Sequence, residues 1–222
     1  LPGAMEFARC LIDHGIVPSM GHTDAEYSKV LEAYHNGISH VTHLYSAMSG
    51  MVRKGGFRYP GLIESAFCID DLTVEVIADG CHLPAEILEM VYRIKGPGKM
   101  ALTCDSMRCA GQNVKESVLG SLKNGQRVII EDDVAKMPDR MAFAGSIATD
   151  DRLVRVMYRQ ARVPLWDCVR MMSLTPAAIM GIGDQVGSIM PGKTANLICF
   201  DEDIRISAAM VRGNVVYGSF ES

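Results

Sequence analysis

Val41-Thr42-His43-Leu44-Tyr45-Ser46-Ala47-Met48 decides how the rest of the chain is read. Ser39 to Val41 have β-type character and lead into His43, after which the chain leaves the strand through small residues. In α/β proteins the groups that do chemistry sit where a strand ends and its loop begins, at the C-terminal rim of the sheet. Three other polar residues stand at comparable places. His22 follows Ile16 to Gly21, His82 follows Val74 to Asp79, and Asp105 follows Met100 to Cys104. Four successive strand ends each carry a side chain able to hold a metal or move a proton, and the recurrence says more than any one member.

Working outward from His43, the periodicity predicts a helix over residues 1–14, with Phe7, Ala8, Leu11 and Ile12 on one stripe. A strand to Gly21 follows. Thr23-x-x-Glu26 reads as a capping box, and Tyr27, Val30, Leu31 and Tyr34 stand at helical spacing behind it. After His43 come a Gly- and Arg-bearing loop from Ser49 to Gly61 and a short apolar segment around Ile63 to Cys68. The strand from Leu72 to Ala78 is apolar apart from Glu75, as strands covered on both faces tend to be. Pro84 opens a helix with Ile87, Leu88, Val91 and Ile94 as its stripe, and the strand into Asp105 ends the series. This alternation specifies parallel strands joined by crossovers. Residues 111–144 break the rhythm as a polar insertion containing the strand-like Arg127 to Ile130. Helices are expected again over 150–162, 165–172 and 176–180, the last behind Thr175 as its cap. From Gly187 short strands predict a small all-β appendage, folding back at Gly213-Asn214.

With 222 residues, 48% of them hydrophobic, and a net charge of −4, the chain supports a sizeable core. No charge excess points to nucleic acid or acidic lipid, and no apolar run approaches the ~20 residues a membrane helix needs. The chain opens on Leu1-Pro2-Gly3, so a processed or longer polypeptide is expected. Seven cysteines without a Cys-x-x-Cys pair read as reduced thiols of a cytosolic protein. Cys81 and Cys104 adjoin candidate site residues, but strand neighbours point to opposite faces.

The residues alone leave two readings at each position. His22 and His43, at equivalent strand ends, suit half of a zinc-type site, which in catalytic form has three protein ligands. His14, His35 and His40 read as packed or surface residues. Asp105 either caps the turn through Ser106-Met107 or serves as a general base on the rim. Gly80 lets the backbone turn so that His82 reaches inward. Arg53, Lys54 and Arg58 form either a solvated basic loop or an anion clamp, for which the planar guanidinium is suited.

An ordered set of motifs then carries a resemblance: Gly21-His22-Thr23-Asp24-Ala25, Thr42 to Met48, Arg58-Tyr59-Pro60-Gly61-Leu62, Ile77 to His82, Cys104-Asp105-Ser106, Ala144-Gly145-Ser146, Thr175-Pro176-Ala177 and Gly187 to Leu197. Together they resemble N-acetylglucosamine-6-phosphate deacetylases, metal-dependent (β/α)₈ barrels of the amidohydrolase superfamily. The resemblance implies that His22 and His43 are metal ligands, for zinc first and iron second. It implies that Asp105 is the catalytic aspartate and that His82 contacts substrate. It further implies that Arg58 binds phosphate in a neighbouring subunit's site, and that Ala47 offers a backbone contact to the sugar phosphate. Ser46 stands where the family usually has Asn, which shortens one contact to the phosphate. A cytoplasmic homodimer acting on an amino-sugar phosphate is implied for the complete protein. The family's third ligand, a glutamate from an earlier strand, has no counterpart here. Residues 1–186 are therefore expected to be strands five to eight of the barrel, and 187–222 a small β-sandwich segment.

Overall fold

In the computed structural model, which describes residues 1–220, helix and strand alternate through the first half. The order is α1 (Ala4–Asp13), β1 (Ser19–Met20), α2 (Tyr27–His35), β2 (His40–Val41), a hairpin of β3 (Val52–Lys54) and β4 (Phe57–Tyr59), α3 (Leu62–Cys68), β5 (Thr73–Ile77), α4 (Ala85–Lys95) and β6 (Met100–Thr103). Strands β1, β2, β5 and β6 form one sheet in that order, with every neighbouring pair parallel. The α/β alternation expected from sequence is present. The sheet is open, and among the described residues it does not close into a barrel.

Alternation along the strands sorts the two faces. Val74, Val76, Met100 and Leu102 enter the main core with Val30 and Ala33 of α2 and Leu88 and Val91 of α4. Thr73 and Glu75 are only half-buried. Helices cover one face; on the face of Glu75 the cover is partial, with Ile77 and Ala101 buried. Truncating a fully buried residue such as Leu88 to Ala would cost ~2–5 kcal/mol.

The insertion is a sheet of its own. Strands β7 (Glu116–Leu119), β8 (Gln126–Glu131), β9 (Val134–Lys136) and β10 (Phe143–Ser146) run antiparallel in the order β10-β9-β8-β7. Met107, Cys109, Val128 and Ala135 form a second small core beneath it. Then come α5 (Asp150–Arg159), whose Leu153 and Met157 join the main core, α6 (Leu165–Met172) and α7 (Leu174–Ile179). The tail is one antiparallel layer of β11 (Leu197–Phe200), β12 (Ile206–Val211) and β13 (Asn214–Gly218), where a sandwich needs two.

Three local expectations are overturned. Thr23 does not cap α2: Glu26 holds the cap position, the Ala25 N–H donates to Thr23 Oγ1 (3.1 Å), and Glu26 pairs with Lys54. Thr175 lies inside α7, where its hydroxyl donates to the Pro97 carbonyl. The loop from 49 to 61 contains the β3–β4 hairpin. All seven cysteines are free, and no described helix is long and apolar enough to cross a membrane.

Candidate active site

The ends of β1 and β2 bring two imidazoles together. His22 Nε2 lies 2.9 Å from His43 Nε2, with ring centroids 4.8 Å apart. Gly21 permits this approach, because a Cβ there would stand 3.1 Å from Thr42 Cβ. His22 and His43 both have positive φ (44° and 31°), as do Tyr45 (81°) and Ala47 (48°). Such backbone costs ~1–3 kcal/mol per non-glycine residue and persists only where its surroundings hold it.

Glu75 supplies part of that hold. Its Oε1 accepts the His43 N–H (3.2 Å), and its backbone oxygen accepts the Leu44 N–H (2.8 Å). His40 Nε2 stands 3.7 Å from Glu75 Oε2. Burial pushes the Glu75 carboxyl up, but the His40 imidazole and the His43 N–H outweigh it and hold its pKa below the usual value. Glu75 and His40 are site-supporting residues that the sequence reading missed. A lone acid in an otherwise apolar strand was the available signal.

His43 is buried, and its Nδ1 has no hydrogen-bond partner among the described residues. One ring nitrogen faces another histidine, and the other is buried without a hydrogen bond among the described residues. Two imidazoles whose Nε2 atoms converge suit a divalent ion such as zinc or iron. Among the described residues no third His, Cys, Asp or Glu completes a metal-holding group.

His82, at the end of the next strand, is fixed by a residue that the sequence reading used only as a spacer. Asp79 is fully buried, and its Oδ2 lies 2.7 Å from His82 Nδ1. Its Oδ1 accepts the backbone N–H groups of Cys81 and His82, each at 2.8 Å. Burial pushes the Asp79 carboxyl up, but these three hydrogen bonds outweigh it and hold the group below the usual aspartate range. The carboxylate accepts a hydrogen bond from Nδ1–H, which leaves His82 Nε2 facing away from Asp79. Phe143 of the inserted sheet meets the ring edge-on at 5.0 Å.

Asp105 ends β6 with φ 43°, and its carboxylate makes no hydrogen bond or ion pair among the described residues. Its backbone oxygen accepts the Ser146 N–H (3.2 Å), which ties β6 to the inserted sheet. The rim thus runs His22, His43, His82, Asp105 along neighbouring strands, although among the described residues no hydrogen bond, ion pair or ring contact joins Asp105 or His82 to the histidine pair. Ser46 is half-buried and Ala47 exposed, in the turn that the Ser46 N–H closes on the His43 oxygen (2.9 Å). Arg58 is exposed on the hairpin, away from these contacts.

Residues 4–216 match the amidohydrolase family. The chain belongs to that family. It is 35% identical over 217 residues to N-acetylglucosamine-6-phosphate deacetylase of Bacillus subtilis (strain 168), covering 98% of this chain and 52% of the relative. It is 28% identical over 207 residues to N-acetylgalactosamine-6-phosphate deacetylase of Shewanella sp. (strain ANA-3), covering 93% of this chain and 50% of that protein. A Mycobacterium smegmatis N-acetyl-D-glucosamine-6-phosphate deacetylase variant, solved with N-acetyl-D-glucosamine-6-phosphate, superposes with a TM-score of 0.88 at 27% identity. That match covers 97% of this chain and 55% of the other. The chain spans about half the length of the curated relatives it matches.

Proposed function

We propose that this chain is the C-terminal half of an N-acetylglucosamine-6-phosphate deacetylase. In this reading residues 1–186 contribute strands five to eight of a (β/α)₈ barrel and residues 187–222 contribute part of a small β-sandwich. Support comes from the four parallel strands, the free edge of β1 among the described residues and the half-length match to the relatives. An unpaired edge of this kind invites another strand.

The observation that carries the functional reading is the pair of Nε2 atoms 2.9 Å apart on adjacent strand ends, with His82 and Asp105 farther along the same rim. His22 and His43 would hold a divalent metal, zinc first and iron second, with the glutamate that the resemblance places upstream. When bound, such a metal supplies Lewis-acid activation of water near neutral pH. Asp105, whose carboxylate is unengaged, accepts the proton of the attacking water and returns it to the leaving nitrogen. The C–N bond breaks, giving acetate and the free amine. His82, held by Asp79, faces the substrate's acyl oxygen. The Ser46-Ala47 turn and Arg58 bind the sugar phosphate. Arg58 reaches a second copy in a homodimer, and the location is the cytoplasm.

Deacetylation of N-acetylglucosamine 6-phosphate by the complete protein, followed by acetate release, tests this. No turnover with added zinc or iron refutes it. The 28% identity to the N-acetylgalactosamine-6-phosphate deacetylase of Shewanella sp. supports one second reading, N-acetylgalactosamine 6-phosphate as the preferred substrate. A side-by-side kcat/KM comparison separates the two sugars.

A further inference from the structure

The β3–β4 hairpin presents two arginines on a face that holds nothing else. Arg53 stands opposite Arg58, Val52 opposite Tyr59, and Lys54 opposite Phe57. Side chains alternate along a strand, so Arg53 and Arg58 share one face and the other four residues share the opposite one. The four-residue face is engaged: Lys54 pairs with Glu26, and its ammonium lies 5.5 Å from the centre of the Tyr59 ring. The arginine face is not. Both guanidiniums belong to exposed residues, and neither makes a hydrogen bond or ion pair with any described residue.

This arrangement is costly unless something neutralises it. Directly opposite residues hold their Cβ atoms about 4.5–5.5 Å apart, where like charges destabilise the pair. Register cannot slip to relieve it, because Gly55 and Gly56, both at positive φ (53° and 89°), make a tight two-residue turn. The arm is also rooted beside His22. Ser49 N–H donates to Thr23 O (2.9 Å), Ser49 Oγ to Ala25 O (2.6 Å), and Tyr27 N–H to Pro60 O (3.0 Å).

We propose that Arg53 and Arg58 together form a two-guanidinium site for a phosphate monoester dianion, with Arg53 as its second arm. The proposal rests on the phospho-sugar reading above and extends it, since the family resemblance assigns phosphate to Arg58 alone. A dianion offers several acceptor oxygens, and each guanidinium offers a planar fork of donors. A phosphate between the two removes their mutual repulsion. Arg53 also compensates for Ser46, whose short side chain leaves the phosphate fewer donors from the 43–48 turn.

The test is calorimetric titration of the purified complete protein with inorganic phosphate, comparing wild type with Arg53→Ala, Arg58→Ala and Arg53→Lys. Each alanine variant is expected to weaken phosphate binding by ~10–100-fold, with the lysine variant intermediate. Circular dichroism should be unchanged, because both residues are exposed. Arg53→Ala binding phosphate as tightly as wild type overturns the proposal, and so does wild type failing to bind phosphate. In parallel, Arg53→Ala should raise KM for N-acetylglucosamine 6-phosphate with kcat held, and leave unphosphorylated N-acetylglucosamine unaffected. Wild type that binds phosphate through both arginines but deacetylates nothing would refute the deacetylase reading and leave the two-arginine site standing.

Discussion

Asp79→Asn alters one atom of a fully buried side chain and leaves its volume unchanged. The asparagine oxygen still accepts the N–H groups of Cys81 and His82. Its amide nitrogen then stands where Oδ2 was, 2.7 Å from His82 Nδ1. An NH₂ group only donates, so His82 must turn Nδ1 into an acceptor and carry its proton on Nε2. One charge-assisted hydrogen bond is lost, worth ~1.5–3 kcal/mol. Asp79→Ala instead strands two backbone N–H groups and the imidazole, and should cost ~3–5 kcal/mol.

The pH dependence has a definite sign. The folded-state pKa of Asp79 is depressed. Its stabilisation is therefore fully present above the unfolded-state value of ~3.9 and lost as pH falls through the folded-state value. Urea midpoints of wild type and Asp79→Asn should differ at neutral pH and converge in acid. Nitrogen NMR of the His82 ring should move its N–H signal from Nδ1 to Nε2. If His82 works at the reacting carbonyl, kcat/KM should fall by ~10²–10⁴. An unchanged tautomer together with pH-independent, wild-type stability would refute the reasoning.

Replacing His22 or His43 by Ala should lower the zinc or iron content of the purified complete protein by elemental analysis, and full occupancy in the double variant would count against the pair as ligands. Asp105→Asn keeps the shape but removes the basic oxygen, so kcat should fall ~10²–10⁴-fold with metal content unchanged. Glu75→Gln retains an acceptor for the His43 N–H and should lie within ~1 kcal/mol of wild type, whereas Glu75→Leu leaves that N–H unpaired and should cost ~1–3 kcal/mol and weaken zinc retention. The 222-residue chain alone should not turn over N-acetylglucosamine 6-phosphate at the ~1–10³ s⁻¹ usual for enzymes, because no third ligand joins the two histidines among the described residues.

The parallel sheet was legible because its signals are local. Apolar runs ending in a polar residue, with amphipathic helices between them, name the strands and their order. The insertion was legible as an excursion but its sheet was not, since only Arg127 to Ile130 has strand composition, and its partners Glu116–Leu119 and Val134–Lys136 become strands through pairing. The β3–β4 hairpin was missed although Gly55-Gly56 sits between Val52-Arg53-Lys54 and Phe57-Arg58-Tyr59, a readable turn signal. Thr23 had the right spacing for a capping box, but Glu26 is drawn to Lys54 on a hairpin no local rule connects to it. Among the proposed site residues, His22, His43, His82 and Asp105 were singled out by their position at strand ends. Asp79 and Glu75 were not, because their roles appear only once the neighbouring backbone is in place.

Positive φ at the strand ends explains why position sufficed to find the histidines and why composition could not show what holds them. Met20 and Val41 face the helix-covered core, and strict alternation would send His22 and His43, two residues further on, to that same side. A left-handed turn at each histidine breaks the alternation and lets the two rings meet instead. That conformation is strained for a residue with a Cβ, so the backbone groups it displaces need new partners. For His43 they are found on the adjacent strand: Glu75 takes the His43 N–H with its side chain and the Leu44 N–H with its backbone. The acid that interrupts an apolar strand is therefore part of how the sheet turns the neighbouring strand end at His43, and the fold and the candidate site share that hydrogen bond.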